Sequence, residues 1–485
     1  MLERKTLALA LIAGVLAGCS VWPGYKKPAM ELPQQWSDAP AQGQPIVGER
    51  WWTLYGDPTL DALVDEALKN NLDLAAAAAR VDEARALLVV TDSQRLPSVD
   101  ATIDANRARS SARSSIPLPP SVPLERSTYT AQVNVAYELD LWGRLRGQTD
   151  AARAQLLASA AARDTVRIAL SSQVVQTYYT LLSLDDQVEV TQRTLDLRAQ
   201  NYALEQYRYK SGLITDFHLR QLEAEIAAAR AQLPALQQRR ASAQTALAIL
   251  LGRSPRAIAN DAVLVTRDAG EQPIVVIPEG LPSDLLLRRP DVVQAEQTLI
   301  AANAQIGVAR AALFPRIALT GAFGSDSATL GDLFSGPARI WSLAFGLAQP
   351  IFQGGRLRAE VEAANARERQ ALAQYQKTVQ TAFGEVRDAL QAQARTREVY
   401  AAETERVAAL RETLRLSRIR FDNGLSSQLE TIDAERNLLQ AELNRVDALR
   451  AQRAAVADVV RALGGGWQGL DPQVALRRSD KLSGP

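Results

Sequence analysis

Side chains that could carry chemistry are scarce in this chain. Among 485 residues there is one histidine, His218, one cysteine, Cys19, and only two methionines. Ser-His-Asp or Cys-His catalysis would have to use His218, the only imidazole present. One cysteine cannot close a disulfide within the chain, and His/Cys metal sites need more ligands than these. No nucleophile–base pair or metal-ligating cluster stands out in the sequence, which argues against an enzyme and against a bound cofactor or metal. Lysine plus arginine is 55 and aspartate plus glutamate is 54, so there is no basic field of the kind nucleic-acid binding needs.

Cys19 has a context of its own. Residues 1–18 begin with Arg4 and Lys5 and continue into an apolar run from Leu7 to Leu16, an n-region and h-region too short to remain as a membrane-spanning helix. The run ends in Leu16-Ala17-Gly18-Cys19-Ser20, which resembles the lipobox of bacterial lipoproteins. That resemblance implies cleavage before Cys19 and a covalent lipid on it, an S-diacylglycerol and an N-palmitoyl chain. Ser20, in place of an aspartate, points to the outer membrane. The alternative is an ordinary secretory signal with a chance cysteine. Cleavage removes two basic residues (Arg4, Lys5) and one acidic residue (Glu3), leaving 53 of each sign. Residues 19–58 should then be an extended arm, rich in Pro, Gln and Trp.

What could position such groups is visible in an internal duplication. Gly143-Arg144-Leu145-Arg146 recurs as Gly355-Arg356-Leu357-Arg358, and Tyr209–Leu213 matches Phe421–Leu425, both at one and the same offset. Upstream, Leu96-Pro97 matches Phe314-Pro315 and Leu72-Asp73 matches Pro290-Asp291, both at a second, slightly larger offset. The first copy therefore carries the longer loop between its strands. Two equivalent repeats follow, 59–252 and 284–464, joined by a connector at 253–283 and trailed by an irregular tail at 465–485. The connector carries strand-like runs at Val263–Val265 and Ile274–Ile277.

Each repeat has the same order of elements. An opening helix (59–95; 284–313) ends at Pro97 or Pro315. Two strands follow, about 98–108 and 128–141, then 316–324 and 340–349. In them apolar residues such as Val133, Val135 and Tyr137 alternate with polar Gln132, Asn134 and Glu138. Next comes a helix of about 68 residues, some 100 Å long, its narrow stripe marked by Ala199, Tyr202, Ala203 and Gln206. A turn at Gly212 or Gly424 returns the chain through a shorter helix. The opening and return helices laid end to end match the long one, describing an antiparallel rod made twice. On periodicity alone the strands fit either a soluble antiparallel sheet or part of a membrane barrel. Four strands cannot close a barrel, for which eight is about the minimum, so a barrel would need several copies.

Several strings, taken in order, closely resemble one family: Leu287–Asp291, Ala301–Pro315, Glu138–Leu145, Pro350–Leu357 and Phe421–Leu425. They resemble the outer-membrane factors of tripartite efflux systems, TolC-like channels of the NodT/OprM lipoprotein type. The resemblance implies a mixed, mainly α fold: each duplicated chain is one third of a homotrimer, with a 12-stranded outer-membrane β-barrel continued by a periplasmic α-helical coiled-coil barrel. It implies partners too, a periplasmic membrane-fusion adaptor, an inner-membrane pump and the outer-membrane lipid, and localisation in a Gram-negative outer membrane. It also implies a gate at the periplasmic tip, which maps to Leu429, Glu430, Asp433 and Arg436. Asp433 and Arg436, three apart, share a helix face; the alternative is a solvated surface pair. At the first-repeat turn stand Asp216 and His218, the latter where the family often has aspartate, with Phe421 at the second.

The function implied is an exit channel for drugs or other toxic small molecules, working with a resistance–nodulation–division pump or, as alternative, a major-facilitator pump. A structural periplasm-spanning lipoprotein competes, but has no use for the strands. After processing only Met30 remains of the methionines, which disfavours copper or silver export.

Overall fold

The computed structural model describes residues 23–30, 48–113, 115, 119, 121–260, 287–467 and 469. Cys19, the connector strand runs and the tail beyond residue 469 lie outside the described residues. The described chain is mainly helical with one four-stranded sheet. In order it runs α1 (Pro58–Asn70), α2 (Leu72–Ser93), β1 (Ser98–Arg109), β2 (Glu125–Leu139), α3 (Arg144–Lys210), α4 (Asp216–Leu250) and α5 (Pro255–Ala259). It continues as α6 (Pro290–Ala311), β3 (Arg316–Ser327), β4 (Arg339–Ala348), α7 (Arg356–Asp422) and α8 (Gln428–Ala462).

The opening helix of the first repeat is not continuous as its sequence suggests. Asn71 adopts an extended backbone, and its side chain accepts from the N–H groups of Asp73 and Leu74 at 2.9 and 3.0 Å. This N-cap ends α1 and starts α2. The same break lets the return helix fit. Asn71 Nδ2 donates to the carbonyl of Leu250 at 3.0 Å, where α4 arrives end-on. Arg289 takes the corresponding place in the second repeat, donating from Nη1 to the carbonyl of Ala462 at 2.7 Å. Gly252 has φ +67°, and a Cβ there would fall 2.2 Å from the Asn70 carbonyl oxygen, so this junction requires glycine.

The long helices α3 and α7 each have 67 residues, roughly 100 Å. Along α3 lie α2 and then α4; along α7 lie α6 and then α8. Because α3 also touches α6 and α8, the two rods pack side by side. The turns at Gly212 (φ +74°) and Gly424 (φ +70°) are built alike. In each, the following leucine N–H bonds back to the arginine carbonyl five residues earlier, Leu213 to Arg208 and Leu425 to Arg420.

The arm is not extended throughout. Trp51–Tyr55 forms a 3₁₀ turn whose Trp51, Trp52 and Tyr55 are buried in the main apolar cluster, at mid-height on α3 with Val174, Tyr178, Leu247 and Val460. Tyr178 Oη donates to Asp57 at 2.6 Å, and Asp57 caps α1. Trp467, at the head of the tail, donates from Nε1 to Asp164 at 3.1 Å. The arm's Tyr25 and Met30 pack over Val292, Leu299 and Tyr375.

The strands order β1-β2-β3-β4, all antiparallel. β2 begins three residues before its expected start and stops at Leu139, leaving Leu141 exposed outside the sheet. β3 runs on to Ser327, so both hairpins reach further than the alternation alone indicates.

Candidate functional site

Register turns the alternation of single strands into two opposed faces. Val99 pairs with Val135, Val135 with Gly321, and Gly321 with Leu343. One step along, Ala101, Val133, Phe323 and Trp341 form the next row. Side chains directly opposite share a face, so this face is apolar across all four strands. The other face carries Asp100, Thr102, Asp104, Thr130, Gln132 and Asn134. The apolar face is not covered: Ile103 is 83% exposed, Trp341 78% and Leu343 79%. Isolated proteins rarely present so large an apolar surface to water. Among the described residues the outer edges of β1 and β4 pair with no strand.

The opposite end of the molecule is charged. Arg198 of α3, its side chain 7% exposed, donates from Nη1 to the Glu225 carbonyl of α4 at 2.9 Å and lies 3.4 Å from the Glu225 carboxylate. Arg436 of α8 donates from Nε to the same carboxylate at 2.8 Å. Glu435, also on α8, takes Arg418 of α7 at 2.8 Å and lies 3.9 Å from Arg198 Nε. Five side chains thus tie four helices, two from each repeat. Beside them a cavity of about 270 Å³ lies between the hairpins, lined by Arg198, Leu204, Glu205, Leu222, Phe421 and Ile432.

The residues singled out in the sequence fall around this network, and not as one cluster. Gly212 and Gly424 sit at the turns. Leu429 is exposed, and Glu430 faces Arg420 across the second turn at 3.9 Å. The expected Asp433–Arg436 pair is not made within the chain. Arg436 turns to Glu225, and exposed Asp433 acts on it only through its field; Glu225 first, by hydrogen bond and charge, then Asp433 raise the Arg436 pKa. Asp216 is exposed, 3.4 Å from Arg220. His218 and Phe421 bring the two turns together, ring centroids 6.2 Å apart. Burial lowers the His218 pKa, and Glu205 partly opposes this.

The stripe expected on α3 is also displaced. Ala199, Ala203 and Gln206 are exposed, whereas Thr191, Arg198 and Glu205 are buried. These three stand seven apart, a heptad seam. That spacing was available in the sequence, but hydrophobicity does not mark it because the seam is polar. Arg198 escapes hydrophobic periodicity for this reason; Glu225, Arg418 and Glu435, on α4, α7 and α8, become visible only through the contacts between helices.

An internally duplicated, mainly helical chain with one amphipathic sheet at its far end defines a recognisable class. The family profile described as outer membrane efflux protein matches residues 63–253 and 281–465, one match for each repeat. OprJ, an outer membrane protein of Pseudomonas aeruginosa, is 38% identical over 464 residues, covering 94% of this chain and 95% of its own length. The cation efflux system protein CusC of Escherichia coli is 34% identical, covering 94% and 98%. The outer-membrane channel CmeC of Campylobacter jejuni superposes with a TM-score of 0.88 at 26% identity, covering 96% and 98%. The chain belongs to the outer membrane efflux protein family.

Proposed function

We propose that this protein is the outer-membrane exit channel of a tripartite efflux system. Three copies pool their strands into a 12-stranded barrel, and their helices continue it as a tunnel into the periplasm. The observation that carries this reading is the apolar face that is exposed across four strands, with both sheet edges open among the described residues. Closing the sheet on itself through further copies removes the edges and turns the apolar face to lipid. A structural tether leaves that face without a use.

The tunnel docks with a periplasmic membrane-fusion adaptor and an inner-membrane pump of the resistance–nodulation–division class, and passes drugs or other toxic small molecules. The energy is the pump's; this chain contributes the path. CusC, named for cation efflux, keeps a cargo other than drugs in view, but Met30 here packs against Val292 and Tyr375 rather than standing free. A lipid on Cys19 adds an anchor, each buried CH₂ contributing about 0.8 kcal/mol.

The tip is the gate. Arg436–Glu225 and Arg198–Glu435 tie the second-repeat hairpin to the first, and opening requires these contacts to part. Threefold symmetry makes Glu430 and Asp433 into rings whose field favours cations at the mouth. Native mass spectrometry of the detergent-extracted protein should give a trimer. A deletion strain should become hypersensitive to drugs and be restored by the cloned gene. A monomer with full strand content refutes the pooled barrel, and unaltered susceptibility to a broad panel refutes the export role.

A further inference from the structure

Charge is distributed unevenly over the sheet face that the barrel reading turns to lipid. Through β1 that face presents Val99, Ala101, Ile103 and Ala105, then Arg107 and Arg109. Along β4 it presents Leu347, Phe345, Leu343 and Trp341, then Arg339. Only one acid shares it, Glu125, which pairs with Arg109 in the register. Its carboxylate takes both arginines, at 3.1 Å from Arg107 and 3.3 Å from Arg109, which fixes all three side chains on one face. The Arg107 and Arg109 side chains remain 75% and 71% exposed, and among the described residues Arg339 has no ion pair. The acids Asp100, Asp104 and Asp326 alternate onto the opposite face. All four charges of the outward face lie at its hairpin end. The other strand ends run through Pro97, Trp142, Pro315 and Pro350 into the helices, so the hairpin end is the one away from the periplasm.

We propose that Arg107, Arg109 and Arg339 form a binding surface for the phosphorylated headgroups of outer-leaflet lipid. This rests on the barrel reading above and goes beyond it. An apolar band that ends in outward cations meets a lipid monolayer at the depth where acyl chain gives way to headgroup. Guanidinium groups hold phosphate through paired N–H donors. Two of them against one carboxylate leave a positive excess in every chain. β1 and β4 are the open edges of the sheet, so pooling strands sets the β4 of one copy beside the β1 of the next. The cluster then straddles each seam, and bound lipid bridges two subunits.

The test uses the purified trimer in neutral detergent, read by its thermal dissociation on native gels. Ligands that bind only the assembled form raise its dissociation temperature. Diphosphorylated lipid A should raise it by several degrees, while dephosphorylated lipid A, phosphatidylethanolamine and inorganic phosphate should not. The R107Q/R109Q/R339Q variant should lose most of this shift, and R107K/R109K/R339K should keep at least half. Equal protection of the glutamine variant, equal protection by dephosphorylated lipid, or equal protection by inorganic phosphate each overturns the headgroup surface. Should the glutamine variant not assemble, native mass spectra of the wild-type trimer decide the matter: retention of phosphorylated lipid in preference to zwitterionic lipid supports the proposal, and indiscriminate retention overturns it. A wild-type protein that never forms a trimer overturns the barrel reading itself, a distinct result from a trimer indifferent to lipid.

Discussion

Arg436 donates to Glu225 on the other hairpin, in the other repeat, rather than to Asp433 one turn back on its own helix. The choice follows from burial. The Glu225 side chain is 8% exposed and must be compensated, whereas Asp433 stands in water and needs no partner. The Arg436 expected to pair along one helix instead makes a contact between two hairpins, and the opening proposed above has to part it.

Arg436→Ala alone should therefore loosen the tip, and Asp433→Ala should do much less. Arg436 is more than half exposed, so screening holds its contribution to about 1 kcal/mol per subunit. Symmetry repeats the loss three times in a trimer. Single-channel conductance in planar bilayers and entry of vancomycin should rise in Arg436→Ala at unchanged trimer yield. Equal effects of the two single variants would place the gate on the exposed acid ring instead.

Arg198 should behave differently, because both it and Glu225 are buried. Removing one member of a buried pair costs up to about 3–5 kcal/mol when the other is left unpaired, and less here because Glu225 keeps Arg436 as its remaining cation. Arg198→Ala should raise hydrogen exchange throughout the lower halves of α3 and α4. Adding Glu225→Leu to Arg198→Leu should restore much of the protection, because an apolar pair of that size leaves no orphan charge. No recovery in the double variant would mean that the loss of Arg436's contact with Glu225, or of Glu435's contact with Arg198, outweighs the relief of the buried pair.

The difference between these two arginines also marks how far the sequence reaches. Duplication, strand alternation and the glycine turns depend on residues near one another in the chain, and they are legible. The end-on junctions are legible only in retrospect: Asn71 and Arg289 differ in type, yet each donates to the last carbonyl of its return helix. The tip network depends on contacts between helices, from Arg198 with Glu225 inside one hairpin to Arg198 with Glu435 across both repeats. Its members are polar side chains on four different helices, which hydrophobic periodicity along any one of them ignores. Trp51 and Trp52 look like part of a polar arm because their partners on α3 and α8 are remote in sequence.

Cys19 should carry the lipid anchor. Metabolic labelling with a palmitate analogue should tag the wild type and leave Cys19→Ser unlabelled. Because the strands, and not the lipid, span the membrane in the proposed assembly, Cys19→Ser should still insert some trimer. An unlabelled wild type ends the lipoprotein reading without touching the barrel.

His218 should make the closed tip sensitive to acid. It occupies the place that Glu430 holds in the second repeat, each in the first turn of a return helix. Its imidazole is half-buried beside Phe421, and Nε2 is among the buried polar atoms without a hydrogen-bond partner. Burial pushes its pKa below the ordinary 6.5, and the Glu205 carboxylate pulls it back only in part. The closed tip therefore holds the neutral ring, while an opened tip, with the ring in water, binds the proton more readily. Stability is full well above pH 6.5, declines as pH falls through 6.5, and reaches its full penalty below the lowered pKa. Wild-type conductance and hydrogen exchange at the tip should accordingly rise between pH 7.5 and about 5.5, a window in which exposed carboxylates stay ionised. His218→Gln, which keeps a polar side chain of similar reach but cannot titrate, should flatten that rise and leave the pH 7.5 conductance near wild type. An undiminished pH response in His218→Gln trimers would assign acid sensitivity to the carboxylates and leave His218 as packing between the two turns.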